Sequence, residues 1–377
     1  MLHAIFLGLA AHLTALPAIA LALAFPLGIV ARRSWTNVFL SRALDAAYIT
    51  SVFIALQATG KLPWYLPMKG FAFFSAAACL TLLSSVFLSL KPTRLFATLH
   101  MTAMLFFTIG AIIFTLNDTT LAIEHPTVHI ARLPAPFDGL TAAVLADTHI
   151  GRPDQGPEWF SHVVRATNDL QADLILILGD VISRPMEEVQ YVSLLSGLHA
   201  PLGVWTVLGN HENGMPNRFA PPLPAPTVEE WRRIYADAGV HLLENEAVPL
   251  RRDGAVLWLV GVGDAYSYHD HLDRAIKGIG PHDACLVLTH SPDLLDDPLI
   301  GRVDLMLAGH THGGGVWLPF VGPLWSPSRL GRARAAGLIR EGTTQAYISR
   351  GTGRAVMGLR LGNAPEVTLL TLRRSSP

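Results

Sequence analysis

Apolar positions along this chain fall into two regimes that part near residue 120. Before that point they form long runs, over residues 4–30, 46–59, 70–90 and 96–116, broken only by sparse polar residues. About 20 such residues cross a bilayer as a helix, so the pattern predicts four transmembrane helices. The first is long and carries Pro17 and Pro26, and the second is short and flanked by Asp45. From Leu121 onward the runs shorten to five or six residues: TAAVLA, DLILIL, GVWTVL, ACLVLT and DLMLA, each reading as a buried strand. Helical patterns at 157–170, 187–197, 227–239, 268–277 and 292–298 lie between or beside them, as βαβ crossovers require. QAYISRG and EVTLLTL add further strand-like text at the end. The expected organisation is a membrane region over residues 1–118 and one α/β domain over 119–377.

Composition agrees with that division. Half of the 377 residues are apolar, too many for one ordinary water-exposed domain, and the excess sits in the first third. A cleavable leader over residues 1–30 is disfavoured because a basic start is missing and three more apolar runs follow. Short loops with Lys and Arg tend to stay cytoplasmic. Arg32, Arg33 and Arg42 follow the first run and Lys91 and Arg94 the third, against Lys61 and Lys69 after the second. The balance puts both termini, and with them the 119–377 domain, outside the cytoplasm of a multi-pass protein. Cys79 and Cys285 form no plausible bridge, and Cys285 reads as a small core residue. A formal net charge of −1 gives no support for nucleic-acid binding.

Each short run is followed by residues able to hold metal ions: Asp147-Thr-His149, Gly179-Asp180, Gly209-Asn210-His211-Glu212, His290, and Gly309-His310-Thr311-His312-Gly313. Side chains two apart in a strand share a face, so Asp147 with His149, and His310 with His312, are expected to reach one ion together. Asp180 carries two oxygens and can bridge two ions, Asn210 adds a carbonyl oxygen and His290 an imidazole. Seven mixed O and N donors suit Mn, Fe, Zn or Co better than Ca or Mg. Two divalent ions against two carboxylates and a shared hydroxide leave a positive site, complementary to a phosphate ester. Such a pair activates water and clamps an in-line displacement without a covalent enzyme intermediate.

These five clusters, in this order, resemble the calcineurin-like metallophosphoesterase superfamily. The likeness runs from Leu133 to Leu372 and includes LPAPFDGLTAAVLADTHIG, GHTHGGGVWLPFVGPLWSPSRLGR and the closing SRGTG with NAPEVTLLTL, similar to a bacterial branch of membrane-attached phosphodiesterases and a UDP-2,3-diacylglucosamine pyrophosphatase. The resemblance implies a β-sandwich flanked by helices, where the strand pattern alone also allows a plain doubly wound sheet. It implies one ion on Asp147, His149, Asp180 and His312, a second on Asp180, Asn210, His290 and His310, and His211 as the group that protonates the leaving oxygen or stabilises the transition state. Glu212 stands where many relatives have Asp, and Gly314-Gly315 where many have Gly-Gln.

Other residues carry weaker signals. His269 and His271 have metal-like spacing but read as surface residues, and Asp264 reads equally as a loop carboxylate or a neighbour of the ligands. His125, His129 and His282 receive no role. Arg350 and Arg354 suit either a substrate phosphate or ordinary salt bridges. Two apolar loops, NGMPNRFAPPLPAPT and VWLPFVGPLW, are expected to emerge beside the ligands. The function expected is hydrolysis of a phosphodiester or pyrophosphate bond by metal-activated hydroxide in a bacterial inner membrane, on a lipid-linked or envelope substrate. A UDP-2,3-diacylglucosamine pyrophosphatase needs the opposite orientation, and a phosphate-sensing domain without turnover is the alternative outside enzymology.

Overall fold

In the computed structural model the described residues are 120–375, apart from 153, 154, 319 and 354–359, together with the isolated positions 98, 102 and 105. The chain divides into two compact units, Met1–Asn117 and Asp118–Pro377, and the architecture below is that of the second. Apart from those three positions, the four apolar runs lie outside the described residues. Among those that are described, no helix is long and apolar enough to cross a membrane.

Two sheets face one another. The first contains β1 (Ala122–Glu124), β2 (Thr127–Ile130), β3 (Thr141–Leu145), β4 (Leu174–Ile177), β5 (Val204–Thr206), β6 (His241–Leu242) and β15 (Glu366–Arg374). Its order is β1-β15-β3-β4-β5-β6, with β2 also pairing β15. Strands β3 to β6 run parallel, and β15 runs antiparallel to β3. The second sheet contains β7 (Glu246–Arg252), β8 (Ala255–Gly261), β9 (Cys285–Leu288), β10 (Leu305–Ala308), β13 (Gly337–Glu341) and β14 (Thr344–Ile348), in the order β13-β14-β10-β9-β8-β7. A small hairpin pairs β11 (Trp317–Leu318) with β12 (Gly322–Pro323).

The strand sequences are continuously apolar because both faces of each strand are covered. Leu174 and Leu176 of β4 meet Leu286 and Leu288 of β9 and Leu305 and Leu307 of β10 in the core between the sheets. The alternate residues Ile175 and Ile177 turn outward onto α1 (Pro157–Asp169) and α3 (Val228–Asp237), where Phe160, Val163, Trp231 and Tyr235 cover them. On the other side Val287 and Met306 pack with Leu272, Ile276 and Leu294. Each such leucine or isoleucine contributes about 1.5–3 kcal/mol on burial. The result is the helix-flanked sandwich that the resemblance implied, and the plain doubly wound alternative is set aside.

Three helical expectations contract. The 187–197 segment is α2 (Pro185–Glu188) followed by a 3-10 stretch to Gly197, and 292–298 is a 3-10 turn over Pro292–Asp296. Of 268–277 only α4 (Leu272–Ala275) is helical. Side chains satisfy the backbone ahead of it: Asp264 accepts from the N–H groups of Tyr266 and Ser267, and Asn245 Oδ1 accepts from that of His271. The β7–β8 hairpin was not anticipated, although Asp253-Gly254 at its turn, both with positive φ, is a familiar hairpin dipeptide.

Candidate metal centre

The carboxyl ends of β3, β4, β5, β9 and β10 converge where the two sheets meet. His290 after β9 donates through Nδ1 to the carbonyl of Leu178 in the facing sheet, at 2.7 Å. One expectation about local geometry is corrected here. Asp147, His149, His310 and His312 lie beyond their strands in left-handed backbone, with φ of 51°, 45°, 69° and 49°, and Asp180 joins them at 51°. Strand alternation therefore does not aim these pairs; a sharp left-handed turn does. The conformation costs about 1–3 kcal/mol per residue and concentrates at functional sites. Asp and His tolerate it better than most side chains.

Side-chain donors close on one another. Asp147, His149 and His312 form one group, His149, Asp180 and His211 a second, and Asp180, His290 and His310 a third, with donor atoms within 4.8 Å in each. Asp180 Oδ2 lies 3.7 Å from His149 Nε2 and 3.2 Å from His290 Nε2. Asn210 Oδ1 lies 3.1 Å from His290 Nε2, and His310 Nδ1 lies 3.2 Å from that same nitrogen. His149 Nε2 faces His312 Nε2 at 3.2 Å. All seven residues singled out as ligands in the sequence are buried and meet at this point. His211 is the member open to solvent, its side chain 18% exposed.

Surrounding groups fix these orientations. His149 Nδ1 meets Ser183 Oγ at 2.9 Å, and His211 Nδ1 donates to the Ser183 carbonyl at 2.8 Å. The N–H of His211 holds Asp180 Oδ1 at 3.0 Å, and that of His310 holds Asp147. Glycine is obligatory beside the two carboxylates: a Cβ on Gly209 would sit 2.2 Å from Asp180 Oδ1, and one on Gly309 2.7 Å from Asp147 Oδ2. Two contributors went unnoticed in the sequence. Arg360 is fully buried and donates to the carbonyls of His312, Gly351 and Gly353, and Asn363 donates to His312 O at 2.7 Å. A lone arginine in GLRLGN offered no periodic or motif signal. Glu212, whose role the sequence left open, buries its carboxylate under four backbone N–H groups, those of Asp180, Val181, Ile182 and Gly209.

Of the weaker candidates, Asp264 lies near enough to the centre for its charge to help raise His290, and the other described ones join no donor group. Arg350 is held by Glu366 at 2.5 Å and by Glu124, so its salt-bridge reading stands. Arg354 lies outside the described residues. Asp264 caps its own turn, with Ser267 Oγ donating at 2.7 Å. His269 and His271 are exposed.

Crowded imidazole nitrogens facing carboxylate and amide oxygens are the donor set of a metal site. In line with that, His310 Nε2 and His312 Nδ1 are buried without a hydrogen-bond partner. These residues fit divalent transition-metal ions. The electrostatics agree. Burial, with neighbouring histidines, holds His149, His310 and His312 well below the usual imidazole range. Burial also pushes Asp147 up to about 7, against the pull of His290. For His290 burial is outweighed by Asp180 and Asp147, which raise it well above the ordinary value. A raised pKa leaves His290 protonated near neutrality, and a cation must displace that proton. Metal affinity is therefore expected to rise with pH, with proton release on binding. Titration calorimetry in two buffers of different ionisation enthalpy checks this, and equal heats in both would contradict it.

The fold and the centre together define a metallophosphoesterase. The profile of the calcineurin-like phosphoesterase family matches residues 140–314. The chain is 30% identical over 256 residues to phosphodiesterase YaeI of Escherichia coli, covering 66% of this chain and 87% of that one. It is 26% identical over 262 residues to the Bacillus subtilis metallophosphoesterase YkuE, covering 67% of this chain and 85% of the relative. A transmembrane protein with metallophosphoesterase domain from Bos taurus is 30% identical over 303 residues, 76% of this chain and 65% of its own length. The chain belongs to the calcineurin-like metallophosphoesterase family and is a metal-dependent phosphoester hydrolase.

Proposed function

We propose that this protein is a membrane-anchored dinuclear phosphodiesterase acting on a lipid-linked or envelope substrate. The observation that carries the dinuclear reading is Asp180 Oδ2, which faces His149 from one donor group and His290 from the other. One ion would be held by Asp147, His149, Asp180 and His312, the other by Asp180, Asn210, His290 and His310. When bound, such a pair lowers the pKa of a shared water and neutralises phosphoryl oxygens. Asp180 Oδ1 stays with the N–H of His211, so Oδ2 alone points inward. His211 Nδ1 is committed to the Ser183 carbonyl, which makes Nε2 the atom that hands a proton to the leaving oxygen. Phosphodiester specificity draws support from the relative named a phosphodiesterase.

The anchor is supported by the four apolar runs and by the bovine relative. Its matched 76% of this chain exceeds the unit from Asp118 onward, so the likeness reaches into the preceding region. Loop charges favour an extracytoplasmic domain in the bacterial inner membrane and hence envelope phospholipids or polyprenyl phosphates. The bilayer and an anionic ester are the partners inferred, and the near-zero net charge gives no support for nucleic acid.

The purified chain is expected to hold two equivalents of metal by mass spectrometry and to hydrolyse bis(p-nitrophenyl) phosphate. EDTA should abolish turnover and Mn²⁺ restore it. A single equivalent, or turnover that survives chelation, would refute the dinuclear reading. Paired reporters fused after Pro377 should be active only outside the cytoplasm. A cytoplasmic result would put a UDP-2,3-diacylglucosamine pyrophosphatase in first place.

A further inference from the structure

Most large apolar side chains of the catalytic domain are covered, and the exposed ones are not scattered. Of the ten exposed large hydrophobic residues among the described residues of this domain, seven lie in the two apolar loops: Phe219 and Leu223 in one, and Leu318, Phe320, Val321, Leu324 and Trp325 in the other. Phe219 and Phe320 are fully exposed. A soluble monomer rarely gathers such residues without a use for them. Phe320 sits at the tip of the β11–β12 hairpin with φ 64°, a left-handed conformation costly for a bulky side chain. The backbone thus carries strain to hold an aromatic ring in water.

Both loops spring from the metal-ligand turns. Leu223 N–H donates to Gly214 O, four residues after Asn210, at 2.7 Å. Leu324 N–H donates to Val316 O, four residues after His312, at 3.0 Å. The base of the hairpin is tied to the segment that also receives the start of the domain. Trp317 N–H donates to Leu361 O, Asn363 to His312 O, and Ala122 N–H to Pro365 O. The chain therefore enters its catalytic domain on the edge that carries both the metal ligands and the hairpin.

We propose that the β11–β12 hairpin, aided by the Phe219 loop, docks into the membrane interface and holds the metal edge against lipid headgroups. This rests on the membrane-anchored reading above. Three observations select a bilayer as the occupant. The stretch VWLPFVGPLW contains no charged side chain; Trp settles at the headgroup level, and Phe and Leu bury at the headgroup–acyl boundary. No acidic residue occurs between Asp304 and Glu341; of the four arginines there, Arg329 is held by Asp296 and Arg334 by Glu341, which leaves Arg332 and Arg340 as the cations suited to anionic headgroups. The last apolar run ends at residue 116 and β1 begins at Ala122, a tether of about 17 Å at full extension. A chain crossing the bilayer there delivers the entry edge to the surface. The substrate class that follows is a headgroup phosphoester presented at the interface, with its acyl chains left in the membrane.

The test uses the full chain, reconstituted in vesicles of phosphatidylethanolamine and phosphatidylglycerol in equal parts. Cys79 and Cys285 are replaced by alanine, and a fluorophore is placed at Phe320→Cys or, as an exposed control on α3, Glu229→Cys. At Phe320, nitroxide-bearing lipids should quench the probe, and aqueous iodide should quench it at least about threefold less than at Glu229. Equal iodide access at the two positions overturns the proposal. So does protection from iodide without lipid quenching, which would mark a protein partner. In the otherwise native chain, Phe320→Asp should raise KM for a long-chain phosphodiester lipid about tenfold, the loss of one buried aromatic contact, with bis(p-nitrophenyl) phosphate turnover unchanged. An unchanged KM for the lipid, or an equal loss with both substrates, contradicts it. If the native chain fails to hydrolyse bis(p-nitrophenyl) phosphate, the enzymatic reading itself fails. If it succeeds while Phe320 remains in water, only the docking surface falls.

Discussion

Asp180→Asn is expected to lower metal-dependent kcat/KM by about 10³-fold or more, equivalent to roughly 4 kcal/mol of transition-state stabilisation. The carboxylate has two separate tasks. Oδ1 accepts the N–H of His211 at 3.0 Å, and Oδ2 faces His149 and His290 at 3.7 Å and 3.2 Å. An amide of the same size keeps one task at most. If its oxygen stays with His211, its NH₂ group turns toward the centre and repels a cation. If it flips, two N–H groups oppose each other across a buried contact, at about 1–3 kcal/mol. Metal content should fall below two equivalents in either case. Thermal unfolding of the metal-free variant should stay near that of the parent, because shape is kept and a buried negative charge removed. A variant with full metal content and parental turnover would remove Asp180 from the centre. A parent without turnover would instead favour a phosphate sensor.

Much of this centre was legible in the sequence, and the reason is topological. Each ligand follows a strand buried on both faces, so an uninterrupted apolar run announces where the turn must come. Leu174–Ile177 followed by Gly179-Asp180, and Leu305–Ala308 followed by Gly309-His310, show this most plainly. The local geometry was less legible. Positive φ at Asp147, His149, Asp180, His310 and His312 is imposed by contacts from other segments, such as the Asp147 N–H bonding to Gly179 O and that of His149 to Asp180 O. Spacing of two residues brings Asp147 and His149 together for a reason other than strand alternation, whereas His310 and His312 part into different donor groups. Arg360 and Asn363 act through backbone carbonyls brought near from elsewhere, and such contacts leave no pattern along the chain. The helical text at 268–277 contracted to Leu272–Ala275 because Asp264 nearby and Asn245 from 26 residues away offer the preceding backbone partners that compete with the helix. The apolar runs lie almost wholly outside the described residues, so the proposal that they span a membrane rests on hydropathy and on the bovine relative.

Glu212→Gln is expected to weaken both the fold and metal affinity. The carboxylate oxygens are divided between two pairs of donors. Oε2 takes the N–H groups of Asp180 and Gly209, both at 2.9 Å, and Oε1 takes those of Val181 and Ile182, at 2.7 Å and 3.3 Å. Burial and the nearby Asp180 push this carboxyl up to about 7, against the hydrogen bond from Gly209. Four donors aimed at one group need the lone pairs of the ionised form, and cations on Asp180 would reduce the repulsion that opposes it. A glutamine supplies one oxygen and must present an NH₂ group to the other pair. Two buried N–H groups then lose their acceptor, at about 1–3 kcal/mol each, a large part of the roughly 5–15 kcal/mol that stabilises a typical domain. Because the same amides set the turns of Asp180 and Gly209-Asn210, metal affinity should fall by about 10- to 100-fold, the usual effect of removing a group that orients ligands. Glu212→Asp keeps the charge but is one methylene shorter, so it should fall between parent and glutamine in both thermal unfolding and metal titration. A glutamine variant with parental metal affinity would show that the four-amide cradle supports the fold without positioning the centre.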